Sequence, residues 1–206
     1  MDVQFYSKED LAKVGISVGQ FLEQITKLDE ENGLLEEPYE VVVKKLTPVF
    51  AATEDMWRAI IVDDVVRGYW NCVALDEKHQ TFIEEGKLLE SYVNINNLKR
   101  DLRKEKNALL FDSVCLDVPL QGKKLSGLIL KSIYDTLTAL PQKGIEVSDI
   151  WASIWSEHGI KFFSKWGFIP VVENKGDGST GHGYIYKVSY DEAMEKLGVL
   201  IKNLNL

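Results

Sequence analysis

Apolar residues along this chain alternate between helical and strand-like spacing. Leu11, Val14, Val18, Phe21, Ile25 and Leu28 mark one stripe at heptad spacing. With the Ser7–Asp10 capping box in front of it, this predicts a long amphipathic helix over about 7–31. Gly15 and Gly19 weaken helix propensity, so the stripe can serve either to pack on the chain's own sheet or as a coiled-coil seam in a homodimer. Glu40-Val41-Val42-Val43, within Tyr39 to Phe50, is β-branched and reads as a strand. Arg58 to Val62 and Val65 to Ala74, separated by Asp63-Asp64, read as a hairpin with an acidic turn. Leu109 to Val118 reads as a further strand. After it, Leu125, Leu128, Ile129, Ile133, Leu137 and Leu140 mark a helix ended by Pro141 and Gly144. Ile145 to Trp155 is the next strand, and Ile160, Phe163 and Trp166 stripe a late helix that Gly167 terminates. Ile169 to Val172 and Tyr184 to Val188 form a final strand pair. Ser189 and Glu192 then cap a terminal helix over about 190–204 carrying Met194, Leu197, Ile201 and Leu204.

With 206 residues, 45% of them hydrophobic, the chain can build one full core, so a single domain over 1–206 is expected. The net charge of −8 argues against a general nucleic-acid binder, since phosphate backbones are held by excess Lys and Arg. Cys72 and Cys115 sit in apolar strand-like runs without metal-ligand spacing and read as small core residues in a reducing compartment. The opening residues lack a basic, apolar leader, and no apolar run is long enough to cross a bilayer, so neither secretion nor membrane contact is expected and the cytoplasm is. The tryptophans, with Trp57 and Trp70 in the hairpin and Trp151 and Trp155 on one strand, read chiefly as core by alternation. The acidic run from Asp29 to Glu37 and the mixed basic run from Lys99 to Lys106 read as solvated faces before they read as ligand sites. Gly176 to Gly183 is a hairpin loop unlike any nucleotide-binding fingerprint, because no helix follows it.

The chemistry is concentrated in Leu116-Asp117-Val118-Pro119-Leu120-Gln121-Gly122-Lys123-Lys124-Leu125-Ser126-Gly127, where an apolar strand runs through a short turn into a helix. A helix start offers unpaired N–H groups and the positive end of a dipole, which suits a pyrophosphate. Small residues at Gly122, Ser126 and Gly127 allow close approach, and Lys123 and Lys124 add charge. This segment resembles the acyl-coenzyme-A loop of the GNAT N-acetyltransferase family, whose pattern is Gln/Arg-x-x-Gly-x-Gly/Ala. Gln121 fills the first position, while Lys124 replaces the central glycine. A second segment, from Glu157 to Phe168, resembles the family's late helix with its Gly-Phe corner, here Gly167-Phe168. The resemblance implies an α/β (α+β) GNAT-like acyltransferase fold with a central mixed, mostly antiparallel sheet flanked by helices. The stretch of about 75–108 departs from the family as an insertion, and a loop this long points to substrate specificity.

The resemblance further implies acyl transfer, most simply from acetyl-CoA to a small-molecule or peptide amine by direct attack, with no metal. An alkylamine of pKa near 10.4 is mostly protonated at pH 7, a penalty of roughly 4–5 kcal/mol. A proton acceptor or a desolvating cleft must offset it. Leu116 to Val118 would position the thioester carbonyl, and residues Gln121 to Gly127, Leu125 included, would cradle the pyrophosphate. Asp117, with Asp112 beside it, is the candidate base, against the alternative of a solvated strand-end aspartate. The family's usual tyrosine acid corresponds to Phe163, which has no hydroxyl. His158 or Ser164 on the same helix could substitute, although a histidine near a helix start is equally a capping or surface residue. A non-catalytic acyl-CoA-binding or protein-interaction domain of the same fold is the alternative function.

Overall fold

The chain opens with a strand that its patterning does not announce. A computed structural model describes residues 2–31, 33, 37–53, 56–99, 101–121, 125–154, 156–175 and 183–205. Among the residues discussed above, Glu36, Arg100, Gly122, Lys123, Lys124, Trp155 and 176–182 lie outside this set. The described residues gather into two compact units, Met1–Cys72 with Asn94–Asn96 and Ser113–Leu125, and Val73–Val93 with Asn97–Asp112 and Ser126–Leu206.

In the first unit, Val3–Tyr6 (β1) pairs antiparallel with Trp57–Val62 (β2), which pairs antiparallel with Val65–Val73 (β3). The turn between β2 and β3 has both central residues at positive φ, Asp63 at 48° and Asp64 at 62°. That handedness matches the twist of the flanking strands, as the Asp-Asp turn predicted. The expected single helix over 7–31 is instead two, Lys8–Lys13 (α1) and Val18–Glu31 (α2). Gly15 separates them at φ +78°, a conformation that stops a right-handed helix. Ser17 then starts the second, its hydroxyl accepting from the Gln20 N–H while the Gln20 side chain accepts from the Ser17 N–H. The strand expected within Tyr39 to Phe50 is also corrected, to a helix, Tyr39–Ala52 (α3). Val42, Val49 and Phe50 share one buried face, and burial at helical spacing outweighs the weak strand preference of three valines. The stripe on α2 is used internally: Phe21 stacks on Trp57 at 5.1 Å and lies 6.0 Å from Phe50, whose carbonyl accepts from the Trp57 indole.

In the second unit, the amino-terminal part of Asn107–Leu116 (β4) runs parallel to Val147–Ile154 (β5), from Asn107↔Val147 to Phe111↔Ala152. Ile169–Glu173 (β6) and Tyr184–Ser189 (β7) complete the order β4-β5-β7-β6, with antiparallel pairing of β5 to β7 and β7 to β6. The stretch of about 75–108 contains Glu77–Glu84 (α4), capped by Asp76, and is tied at its base by a bridge between Leu75 and Leu98. Ser126–Ala139 (α5), Glu157–Ser164 (α6) and Tyr190–Leu204 (α7) supply the remaining helices. The Tyr190 hydroxyl of α7 donates to the Leu137 carbonyl of α5 at 2.9 Å. Both cysteines are buried and unbridged, and Trp57, Trp70, Trp151 and Trp166 are core residues. The sheet class is as expected: mixed, mostly antiparallel, with helices packed along it. No helix among the described residues is long and apolar enough to cross a membrane.

The capping box at α1 is a local test of these contacts. The Lys13 ammonium and then the Ser7 donors lower the Asp10 carboxyl to about 2. Because the folded value lies below the unfolded one, this contribution is complete above about pH 4 and disappears as pH falls through about 2. Asp10→Ala is expected to cost about 0.5–1 kcal/mol at pH 7, screened because the pair is exposed, with the difference from the parent closing near pH 2 in urea denaturation.

Candidate functional site

The end of β4 leads into a turn that is closed on itself. Val118–Leu120 forms one turn of 3-10 helix, in which the Leu120 N–H donates to the Asp117 carbonyl at 2.9 Å and the Gln121 N–H to the Val118 carbonyl at 3.1 Å. The Gln121 side-chain amide folds back to donate to the Leu116 carbonyl at 2.9 Å. Gln121 therefore braces the turn from within. Val118 is 59% exposed and Leu120 is buried, so an apolar anchor holds a turn whose outer side faces solvent. Gly122, Lys123 and Lys124 lie outside the described residues. Leu125 is buried, Ser126 opens α5 at the surface, and Gly127 is buried in its first turn. Of the expected coenzyme residues, Leu116, Val118, Gln121 and Leu125 belong to the first unit and Ser126 and Gly127 to the second.

Asp117 is not a solvated strand end. Its side chain is 13% exposed and its carboxylate accepts from an Arg67 guanidinium nitrogen at 2.8 Å. Its backbone N–H donates to the Arg67 carbonyl, also at 2.8 Å. Arg67, Asp117, Pro119 and Leu120 face Val62, Asp63 and Val65 across a recess of about 340 Å³. The approach of β3 to β4 here depends on Gly68: a β-carbon at that position would lie 2.4 Å from the Cys115 carbonyl oxygen and 3.1 Å from the Leu116 Cα. In the sequence Arg67 and Gly68 read as part of a hairpin strand and not as residues of the site. The signal for them was available, since a glycine inside an otherwise β-branched and aromatic strand marks a bulge or a close backbone approach. Asp112, at the end of the β4–β5 ladder, is half-buried.

His158 lies exposed in the first turn of α6, where Ser156 is the cap, its hydroxyl accepting from the Gly159 N–H at 3.0 Å. The capping alternative for His158 is thereby removed. Phe163 is buried in an aromatic cluster, 5.3 Å from Phe111 and 5.0 Å from Phe168, and stacked on Trp166 at 5.5 Å. The Trp166 indole N–H is buried without a hydrogen-bond partner among the described residues. Gly167 takes the expected left-handed conformation, φ 99°. Ile160, expected on the buried stripe, is exposed instead. A helix of eight residues turns only its last part inward, and Phe163 and Trp166 fill that side. On α4, the His79 ring is held by Asp76 at 2.7 Å and packs against Tyr92 and Phe82, a polar and aromatic tether for the helix. Among the described residues no group of acidic, His and Cys side chains is placed to hold a metal ion.

Gly68→Ala is expected to destabilise the protein by about 1–3 kcal/mol, because the added methyl meets backbone and not a flexible side-chain end. Urea denaturation of the variant against the parent measures it.

No family model and no curated protein matches the chain. Solved structures do. The chain is similar to Ard1 from Thermoplasma volcanium, with 9% identity, a TM-score of 0.53 and coverage of 91% of this chain and 96% of that one. It is similar to the acetyltransferase of the GNAT family from Streptococcus pneumoniae, with 10% identity, a TM-score of 0.53 and coverage of 91% and 99%. PH1933 from Pyrococcus horikoshii OT3 matches at 14% identity and a TM-score of 0.51, over 91% and 98%. At such identities the likeness lies in the course of the backbone, and it extends over nearly the whole of each chain: this protein has the fold of the GNAT acetyltransferases.

Proposed function

We propose that the chain is an acyl-CoA-dependent N-acyltransferase that uses acetyl-CoA as donor and an amine as acceptor. The observation that carries this reading is the segment from Leu116 to Gly127, a strand, a turn and a helix start with the composition of a pyrophosphate loop, in a chain with this fold. Dipole and N–H donors at the start of α5 would favour the diphosphate. In the reaction the amine nitrogen attacks the thioester carbonyl carbon, the C–N bond forms, and the C–S bond breaks to release the CoA thiolate. One proton leaves the nitrogen and one is taken up by the thiolate. A thiolate with an ordinary pKa near 8.5 is a fair leaving group without a dedicated acid, which is compatible with a phenylalanine at 163.

Proton acceptance falls to His158 in this proposal. Its imidazole is exposed and has no hydrogen bond or ion pair among the described residues. Asp117 is relieved of that role because its carboxylate is already engaged by Arg67. The acceptor class is an amine, small or peptidic. The stretch of about 75–108 that carries α4 is the proposed determinant of which one, since it is there that the sequence departs from the resemblance.

Calorimetric titration with acetyl-CoA and with CoA is expected to give saturable binding at one site per chain, abolished in Ser126→Glu, which adds an anion at the exposed first residue of α5. Absence of binding to folded parent protein would overturn the transferase reading, whereas binding without turnover across an amine panel would leave a coenzyme-binding domain. With an acceptor in hand, His158→Ala should lower kcat on the order of a hundredfold while leaving CoA affinity unchanged. An unchanged kcat would remove His158 from the mechanism.

A further inference from the structure

The register of β2 against β3 contains one irregularity: Ile60 pairs with Gly68 and Ile61 with Val66, so Arg67 is an extra residue in β3. A bulge costs ladder hydrogen bonds and is retained where it re-aims a side chain. Here its residue grips Asp117 twice, by a guanidinium nitrogen on the carboxylate and by its own carbonyl on the backbone N–H. The neighbouring residue, Gly68, removes the β-carbon that would hold the two strands apart. All three features act at the residue where the chain leaves β4.

Burial does not account for this arrangement. The Arg67 side chain is 43% exposed along the rim of the recess, and an ion pair this open adds little to stability. Its geometric effect is larger. The Asp117 carbonyl accepts from Leu120, and the Leu116 and Val118 carbonyls accept from Gln121. Gln121, which begins the pyrophosphate segment, is therefore bonded to Leu116 and Val118, the two neighbours of the one residue, Asp117, that Arg67 holds.

We propose that Arg67 is a positioning residue for the coenzyme: bulged out of β3, it clamps Asp117 and so fixes the direction in which the chain passes from β4 into the pyrophosphate turn. Arg67 does not touch the coenzyme in this scheme. It acts through Asp117 and Gln121, and the inference rests on the acyl-CoA reading above.

The test is titration of the full chain with CoA for the parent, Arg67→Ala, Arg67→Lys, Asp117→Asn and the Arg67→Ala/Asp117→Asn double variant, with thermal melting of each. Expected are CoA binding by the parent and at least tenfold weaker binding by Arg67→Ala and by Asp117→Asn. The double variant should bind no more weakly than the worse single, because both remove one clamp. Arg67→Lys should recover part of the loss, and melting points should stay within about 4 °C of the parent. Faster amide exchange at Leu120 and Gln121 in the unliganded single variants would report the loosened turn independently of any ligand. Parent-like CoA affinity in both single variants would overturn the proposal and leave the acyl-CoA reading standing. Failure of the parent to bind CoA would overturn both.

Discussion

Two backbones can meet at Gly68 only because nothing is attached to its α-carbon. A methyl group there would stand 2.4 Å from the Cys115 carbonyl oxygen, well inside van der Waals contact. With that space empty, the Asp117 N–H reaches the Arg67 carbonyl, beside the bulge that places Arg67 out of register. Everything downstream in the turn is measured from this point: the 3-10 turn over Val118–Leu120, the inward fold of Gln121, and the burial of Leu120 and Leu125. A turn at the end of a strand keeps its direction only if something holds it from behind. Here the support comes from a neighbouring strand.

The aromatic cluster on the second unit shows a different use of the same economy. Phe163 is a packing residue among Phe111, Trp166 and Phe168. Aromatic side chains contribute large buried areas and oriented edge contacts. A phenol in this place would need a partner for its hydroxyl. The buried Trp166 indole, without a hydrogen-bond partner among the described residues, indicates how few polar groups these residues offer the cluster. The side chain at 163 is given over to packing.

Much of this was legible in the sequence, unevenly and for physical reasons. The Asp63-Asp64 hairpin, the strand leading to Leu116, the helix with Ile129, Ile133 and Leu137 and the Gly167 corner follow from short-range rules, and each is found. The region of Val41, Val42 and Val43 was misread because propensity is local, whereas the face formed by Val42, Val49 and Phe50 spans two turns and needs a partner surface to matter. The amino-terminal helix was read as continuous although Ser17 and Gln20 carry the same capping pattern as Ser7 and Asp10; the apolar stripe, running through both helices, concealed the break. Val3–Tyr6 has too few residues to show a period. For the site, Gln121 and Asp117 were legible as positions but not as roles. Their partners, Leu116 and Arg67, are set by folding back of the turn and by strand pairing across fifty positions.

The outer strand β6 carries a further consequence. It lies at the margin of its sheet with Ile169 and Val171 exposed at 63% and 51%, the composition of a segment that would recruit other extended chains. Two features oppose this. Pro170 has no N–H to offer a newcomer, and the register shift between Pro170 and Val172 leaves Val171 outside the regular ladder, so the margin has no uninterrupted row of donors and acceptors. The apolar side chains thus remain presented to solvent while the main chain is made unfit for templating. This separates stickiness from polymerisation: crowded or partly unfolded material can adhere through this strand without being led into ordered cross-β growth.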